Sequence, residues 1–327
     1  MLSWRCMLAV HIERGKVSLR RLRRPPVREG FAVIRMLYGG ICNTDLELVR
    51  GYYGFRGTPG HEFVGEVVAG SRHLIGKRVV GEINISCRRC AWCRQGLGRH
   101  CPRRSVLGIV KHPGAFAEFL TLPESNLHPA PAEVPLPHAV FVEPLAAACE
   151  LLDQAPVPPG TAVAVLGDGK LGLLAAQVLQ VHGAKVHLFG RHREKLRIAE
   201  KAGVVGEVRG PKLPTAAYDY VVEATGSHQG LQQAVAMTRP RGTVMLKSTV
   251  HRTAPLDTAP IVVNEITVVG SRCGRFEPAL ALLASGQIHV GEMISDSFPL
   301  EKAPNAFLRA GQEGVLKVLL CDNGSSS

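Results

Sequence analysis

The sequence predicts an α/β protein in which a β-rich unit precedes a doubly wound parallel sheet. Three observations carry this. From Thr161 onward, short apolar strand-like runs alternate with helical segments at the spacing of βαβ units. Residues 1 to about 140 instead break into short β-like runs separated by Gly and Pro. With 327 residues, 46% of them hydrophobic, the chain is long and apolar enough to bury two ordinary cores.

In chain order, Met1 to Val10 reads as a strand and lacks the long apolar region and cleavage site of a signal peptide. Phe31 to Leu37, Phe63 to Val68, Arg78 to Ile85 and Ala117 to Leu122 read as further strands. Pro129 to Pro137 leads into an apolar helix around Pro144 to Leu152, which Pro156 to Gly160 ends. Ala162 to Leu166 is a buried parallel strand, and a helix follows from Lys170 to about His182. Lys185 to Phe189 is a strand and Glu194 to Ala202 a helix, with strands at Tyr218 to Glu223, Thr243 to Lys247 and Ile266 to Gly270. Phe276 to Leu320 holds one helix, a polar turn region and a last β-like run, Val315 to Leu320. It is too short for a domain and is expected to pack back on the N-terminal unit. The expected division is residues 1–144 with 274–327, and residues 145–273. Asn323 to Ser327 reads as a loose tail. No apolar run reaches the roughly 18–20 residues of a spanning helix, so no membrane partner is expected.

The formal charge is +12, concentrated in Lys16 to Arg28 and Arg88 to Arg104. Such runs serve nucleic acid, anionic surfaces or plain solvation. No aromatic residues interleave with them as a stacking platform requires, so no nucleic-acid partner is expected. The nine cysteines are odd in number, and four fall between Cys87 and Cys101. That does not suit a secreted disulfide framework. It suits thiolates held on metal in a reducing compartment, and so a cytoplasmic location.

The Gly-rich run Gly167-Asp168-Gly169-Lys170-Leu171-Gly172 directly follows an apolar strand and opens a helix. In that context the glycines allow a tight turn and close backbone approach to a pyrophosphate, whose charge the helix N-terminus favours. A Rossmann dinucleotide-binding unit is expected. An NAD site carries an acidic residue roughly 20 residues on, at the end of the second strand. Here that strand ends Phe189-Gly190-Arg191-His192-Arg193, with no carboxylate and two arginines able to hold a 2′-phosphate. NADP(H) is therefore expected over NAD(H).

Cys87, Cys90, Cys93 and Cys101 have the crowding of a closed tetrahedral zinc site, which is structural. An iron–sulfur run has three residues before its last Cys-Pro, and here there are seven before Cys101-Pro102. A nucleic-acid-binding zinc ribbon is the competing use of this arginine-rich lobe. A catalytic zinc needs three protein ligands and one open position. Cys42, His61 with Glu62, and Glu143 are of suitable type, but they lie far apart in sequence and spacing does not join them. Each also has a plain reading: a small buried thiol, a core histidine, a helix-capping acid.

Resemblance joins them. The stretches GICNTDLEL, GHEFVGEV, the four-Cys lobe, GAFAEF, VEPLAAA, GDGKLG, VVEATGS and GVLKVLL resemble the zinc-containing medium-chain dehydrogenases, the family of alcohol, sorbitol, threonine and glucose dehydrogenases. The likeness implies a β-rich GroES-like catalytic domain with a Cys₄ zinc lobe beside the Rossmann domain. It implies hydride transfer between NAD(P)(H) and a small alcohol or carbonyl substrate, in a homodimer or homotetramer. It places Cys42, His61 and Glu143 as catalytic-zinc ligands, the last as in polyol-type members. Glu62 becomes a direct ligand or an acid beside the metal. Asp45 orients the histidine, Thr44 takes the alcohol proton, and Cys87, Cys90, Cys93 and Cys101 hold the structural zinc. Glu47 stands where many relatives have the histidine that ends the proton relay. Thr225, Gly226, Lys247, Ser271 and Arg272 fall where relatives contact the cofactor.

Overall fold

The structure is a computed structural model that describes residues 6–249 and 256–322. The expected tail and the first five residues lie outside this range. The chain forms two compact units. One comprises the chain up to Glu143 together with that from Ile294, and the other is Pro144–Met293.

The first unit is built on a seven-stranded sheet. Its path runs Leu127–Pro129, Arg78–Gly81, Glu62–Ala69, Phe31–Ile41, Lys317–Cys321 and Ile294–Pro299, and Phe119–Pro123 pairs with Phe31–Ile41 off this path. Phe31–Ile41 is buried along most of its length, so it reads as an apolar run and not as alternation. The last two strands are parallel, joined through the helix Ala303–Ala310. The expected single strand Arg78 to Ile85 is two, broken at Glu82-Ile83. The basic run from Lys16 is an exposed strand, Lys16–Arg23, paired with Cys6–Glu13. Its charges face solvent, which the sequence cannot tell from a binding face. The cysteine-rich lobe carries a small sheet of Asn84–Ile85, Ser105–Leu107 and Lys111–His112.

The second unit is a six-stranded parallel sheet in the order Val205–Val208, Lys185–Gly190, Ala162–Leu166, Tyr218–Glu223, Thr238–Leu246, Thr267–Gly270. In sequence rank this is 3-2-1-4-5-6, the doubly wound order whose reversal point lies at the first strand. That strand is flanked on both sides and fully buried from Val163 onward, which explains its unbroken apolar run. Val205–Val208 was not expected as a strand. It is short and mostly exposed, so no apolar pattern marks it. Residues 274–293 stay in this unit and not with the first, because Gln177 bonds the His289 backbone through both ends of its amide, at 2.6 and 3.3 Å. Gly274 also packs so tightly that a Cβ there would lie 1.8 Å from the Ala146 carbonyl oxygen.

Candidate functional site

In the first unit, strand register alone brings distant residues together. Gly40 pairs with Glu62 across an antiparallel ladder, and Val318 pairs with Ile41 on the other side. Cys42, His61-Glu62 and Lys317 therefore meet at one strand end, although they span most of the chain. Gly40 is needed for this approach, since a Cβ there would sit 2.6 Å from Val140 Cγ1 and 2.7 Å from Glu62 Oε2. Gly60 takes φ of 101° just before His61 and presses on the Phe116 ring.

The donor atoms of Cys42, His61 and Glu62 lie within 4.8 Å of one another. His61 and Glu62 are buried, and among the described residues His61 Nδ1 and Glu62 Oε1 have no hydrogen-bond partner. Buried polar atoms without partners are costly, so sulfur, nitrogen and carboxylate donors left converging in this way fit a zinc ion. Asp45, fully buried, accepts the Cys42 N–H at 2.8 Å and the Gly60 N–H at 3.2 Å. It thereby ties together the two segments that carry the donors. Its Oδ1 also lies 3.5 Å from His61 Nδ1. Burial works to lower the His61 pKa, but Asp45 and Cys42 outweigh it and hold the ring well above its ordinary range. A metal ion arriving there must displace that proton.

Lys317 is the residue that sequence reasoning missed. It is fully buried and forms an ion pair with Glu62, leaving Oε1 as that carboxylate's open oxygen. Burial alone would lower its pKa, but Glu62, Cys42 and Glu143 outweigh it and keep the ammonium charged. The signal was present, since a lysine inside an apolar strand demands a buried partner. Glu143 belongs to the same neighbourhood through its effect on Lys317 but is outside the converging trio. Thr44 Oγ1 lies 3.9 Å from Cys42 Sγ. Glu47, three residues along the short helix Asn43–Val49, is paired instead with Arg50.

In the lobe, Cys90 Sγ lies 3.4 Å from Cys93 Sγ and 3.8 Å from Cys101 Sγ, and Cys87 Sγ lies 4.0 Å from Cys93 Sγ. Tetrahedral zinc with bonds of about 2.3 Å sets sulfurs about 3.8 Å apart, so the cage has the right size. The Arg89 backbone N–H, with Cys101 and Cys90 adding, outweighs desolvation and lowers the Cys87 thiol to about 6. None of the nine cysteines is in a disulfide.

In the second unit, the Gly167–Gly172 loop connects Ala162–Leu166 to the helix Lys170–Val181. Gly172 sits against the strand end, where a Cβ would lie 1.9 Å from Gly167 O. Gly169, the uncapped first turn of the helix, has no atom within 4 Å of where its Cβ would be. The first glycine is thus explained by internal packing. The second is not, and its open helix N-terminus fits an approaching phosphate.

A carboxylate does stand at the second strand's end, contributed by the loop and not by the strand. Asp168 Oδ2 accepts the N–H groups of Arg191 and His192, both at 2.7 Å, and the His192 ring at 2.9 Å. Burial would raise its pKa, but these donors outweigh it and hold it below the usual carboxylate range. Arg191 is exposed. Arg193 is engaged by Glu200 at 2.7 Å and by the Gly206 carbonyl. Thr225 is tied to Glu223 and Ser227, and the Gly226 N–H to Ser248. The Lys247 ammonium is spent inside the unit on Ala147 O, Ser271 Oγ and Arg272 O, at 2.7, 3.2 and 2.9 Å. It braces the loops it was expected to share with a cofactor.

Comparison with known proteins agrees with this architecture. The alcohol dehydrogenase GroES-like domain matches residues 28–132, and the zinc-binding dehydrogenase domain matches residues 171–285. The chain is 28% identical over 310 residues to a sorbitol dehydrogenase of Halalkalibacterium halodurans, covering 88% of this chain and 90% of that one. Among solved structures it is similar to a zinc-binding dehydrogenase of Sinorhizobium meliloti 1021 bound to NADP, with TM-score 0.89, 29% identity and coverage of 97% and 99%. It is also similar to the alcohol dehydrogenase TADH of Thermus sp. ATN1, with TM-score 0.88, 31% identity and coverage of 97% and 100%. The chain belongs to the zinc-containing medium-chain dehydrogenase family and is an oxidoreductase of the NAD(P)-dependent alcohol dehydrogenase type. No helix among the described residues is long and apolar enough to cross a membrane.

Proposed function

We propose that this chain interconverts a polyol or other small alcohol with its aldehyde or ketone, using zinc and NADP(H). The observation that carries the proposal is the convergence of Cys42, His61 and Glu62 with two buried donor atoms unpartnered. These residues would hold the catalytic zinc, with Glu143, the ligand implied by resemblance, as the alternative to Glu62. Cys87, Cys90, Cys93 and Cys101 would hold a second, structural zinc. Zinc supplies a Lewis acid for the substrate oxygen, and the nicotinamide gives or takes the hydride. Within the protein, Asp45 fixes the main chain around Cys42 and His61, and Thr44 Oγ1 takes the alcohol proton. Glu47, held by Arg50, has at most the outer end of that proton route.

The polyol class is supported by the sorbitol dehydrogenase likeness. NADP(H) over NAD(H) is supported by the bare Gly190, by the exposed Arg191 beside it and by the NADP bound to the Sinorhizobium relative. Arg193, already paired with Glu200, is the weaker candidate for the 2′-phosphate. Nine cysteines with no disulfide among them fit a reducing, cytoplasmic setting, and the family likeness fits a homodimer or homotetramer.

The test is a screen of polyols, primary alcohols, aldehydes and hydroxy acids, followed by nicotinamide absorbance. Metal analysis of the same preparation should give about two zinc ions per chain. Cys42→Ala should abolish turnover and remove one of them. A single zinc that survives Cys42→Ala but disappears with Cys101→Ser would sink the proposal.

A further inference from the structure

We infer that Asp168 reads the 2′ position of the adenosine ribose, taking over from the strand-end acid that Gly190 has replaced, and that it opposes Arg191 in choosing between NAD(H) and NADP(H). The inference rests on the dinucleotide-binding reading of the Gly167–Gly172 loop.

Gly190 ends the second strand of the sheet, the position from which an acidic side chain ordinarily reaches the ribose hydroxyls. A Cβ built on Gly190 would lie 2.6 Å from Asp168 Cβ and 2.8 Å from both Asp168 Cγ and Oδ2. The Asp168 side chain therefore fills the space that a side chain at 190 would occupy. The carboxylate has crossed from the strand end to the facing loop, and the glycine makes room for it. Its three bonds to Arg191 and His192 all fall on Oδ2 and fix its orientation. Oδ1 is the oxygen left to accept from a ligand. The loop hydrogen bonds hold the group ionised, so both of its oxygens act as acceptors only.

The consequence for the cofactor follows from charge. A ribose 2′-hydroxyl donates to a carboxylate. A 2′-phosphate is mostly dianionic at neutral pH, so it seldom has a proton to donate, and it brings like charge against the carboxylate. Arg191, exposed on the adjoining residue, acts in the opposite sense by favouring the phosphate. With Arg193 paired to Glu200, Arg191 is the stronger candidate for that task. The site thus contains one group for each cofactor. The wild type should bind both, favouring NADPH by less than about tenfold, a margin smaller than one charge-assisted hydrogen bond supplies.

The experiment measures dissociation constants of NADPH and NADH by calorimetry on the zinc-loaded protein. ADP-ribose and its 2′-phosphate are run as probes that carry no nicotinamide. Asp168→Asn preserves the shape and an oxygen acceptor for the loop. It should weaken NADH and ADP-ribose and shift the preference toward the phosphorylated ligand by about tenfold or more. Arg191→Ala should shift it the other way. The decisive variant moves the acid back. Asp168→Gly with Gly190→Asp, which removes the Cβ that a side chain at 190 would meet at 2.6 Å, should restore the wild-type preference to within a few-fold, and it stands in for Asp168→Asn if that variant does not fold. A purely structural Asp168 would weaken both ligands equally and leave the ratio unchanged, and that result overturns the inference. So does a shift toward NADH. Wild type that binds neither dinucleotide overturns the dinucleotide-binding reading itself, and this inference with it.

Discussion

The buried pair of Lys317 and Glu62 is the feature whose removal has the largest calculable consequence. Both side chains are only 1% exposed. Replacing Lys317 by Met keeps the length and most of the volume of the side chain, so packing against the Phe141 ring 5.5 Å away is largely retained. What is lost is the counter-charge. Glu62 then remains an uncompensated buried carboxylate with Cys42 and Glu143 nearby, which costs about 3–5 kcal/mol. That is a large share of the roughly 5–15 kcal/mol that holds an ordinary domain together. A zinc ion would replace part of the missing positive charge, so the penalty should be greatest after chelation. Urea unfolding of Lys317→Met should show the full loss in chelated protein and a smaller one in zinc-loaded protein. Adding Glu62→Gln to Lys317→Met should recover most of it in the chelated state, because the stranded charge is gone. A loss below about 1 kcal/mol in chelated Lys317→Met, or a double variant no more stable than the single, would refute the reasoning.

Three further outcomes are expected. Cys101→Ser should release one zinc per chain and lower stability, while the Cys42 site keeps its own; metal analysis after gel filtration checks this. In chelated protein the Cys87 thiol, lowered to about 6, is thiolate above that pH and thiol below it. Alkylation by iodoacetamide should therefore be near its maximal rate at pH 7, fall as pH drops through about 6, and be blocked by zinc. A rate still rising steeply above pH 8 would contradict it. Gly172→Ala should cost about 3 kcal/mol or more, since its Cβ would lie 1.9 Å from a main-chain oxygen and the backbone itself must shift to admit it. Thermal unfolding and dinucleotide affinity should fall together.

How far the sequence spoke depended on whether a feature was local. The Rossmann order was legible because each βαβ step is complete within a short stretch, and the first strand's unbroken apolar run reports burial on both faces. The Cys₄ lobe was legible because its four donors are near neighbours in the chain. The Cys42, His61 and Glu62 cluster was not, since its assembly depends on strand register between segments far apart, which a one-residue slip would destroy. Only resemblance could bring it forward, and resemblance left Glu62 and Glu143 both open as the third ligand where the geometry converges on Glu62. Lys317 and Asp168 were hidden for different reasons. Lys317 lay in a run already read as a strand, where its burial showed only once the sheet was built. Asp168 was counted as part of a Gly-rich loop, and a rule that looks for the ribose acid at the strand end passes over one that arrives from the loop.

Asp45 and Asp168 solve the same problem in the two units. Each is a short carboxylate that accepts two main-chain N–H groups. Asp45 takes those of Cys42 and Gly60, and Asp168 those of Arg191 and His192. In each case the residues tied down sit at the ends of strands, where the ladder stops and the backbone would otherwise be free. An Asp side chain has few rotatable bonds, so it fixes these ends at small entropic cost. Charge makes such bonds about twice as strong as neutral ones. The two should nonetheless respond differently to replacement by Asn. Asp45 is fully buried and both of its oxygens accept main-chain N–H groups, so Asp45→Asn forces an amide N–H against a main-chain donor and should loosen zinc binding and stability together. Asp168 is also buried, at 8% exposure, but its three loop bonds all fall on Oδ2, so an Asn oxygen can keep them and what is lost is the charge. Asp168→Asn should change which dinucleotide is preferred while leaving the melting temperature nearly as it was. Equal losses of melting temperature in the two variants would show that both carboxylates serve only to hold the chain.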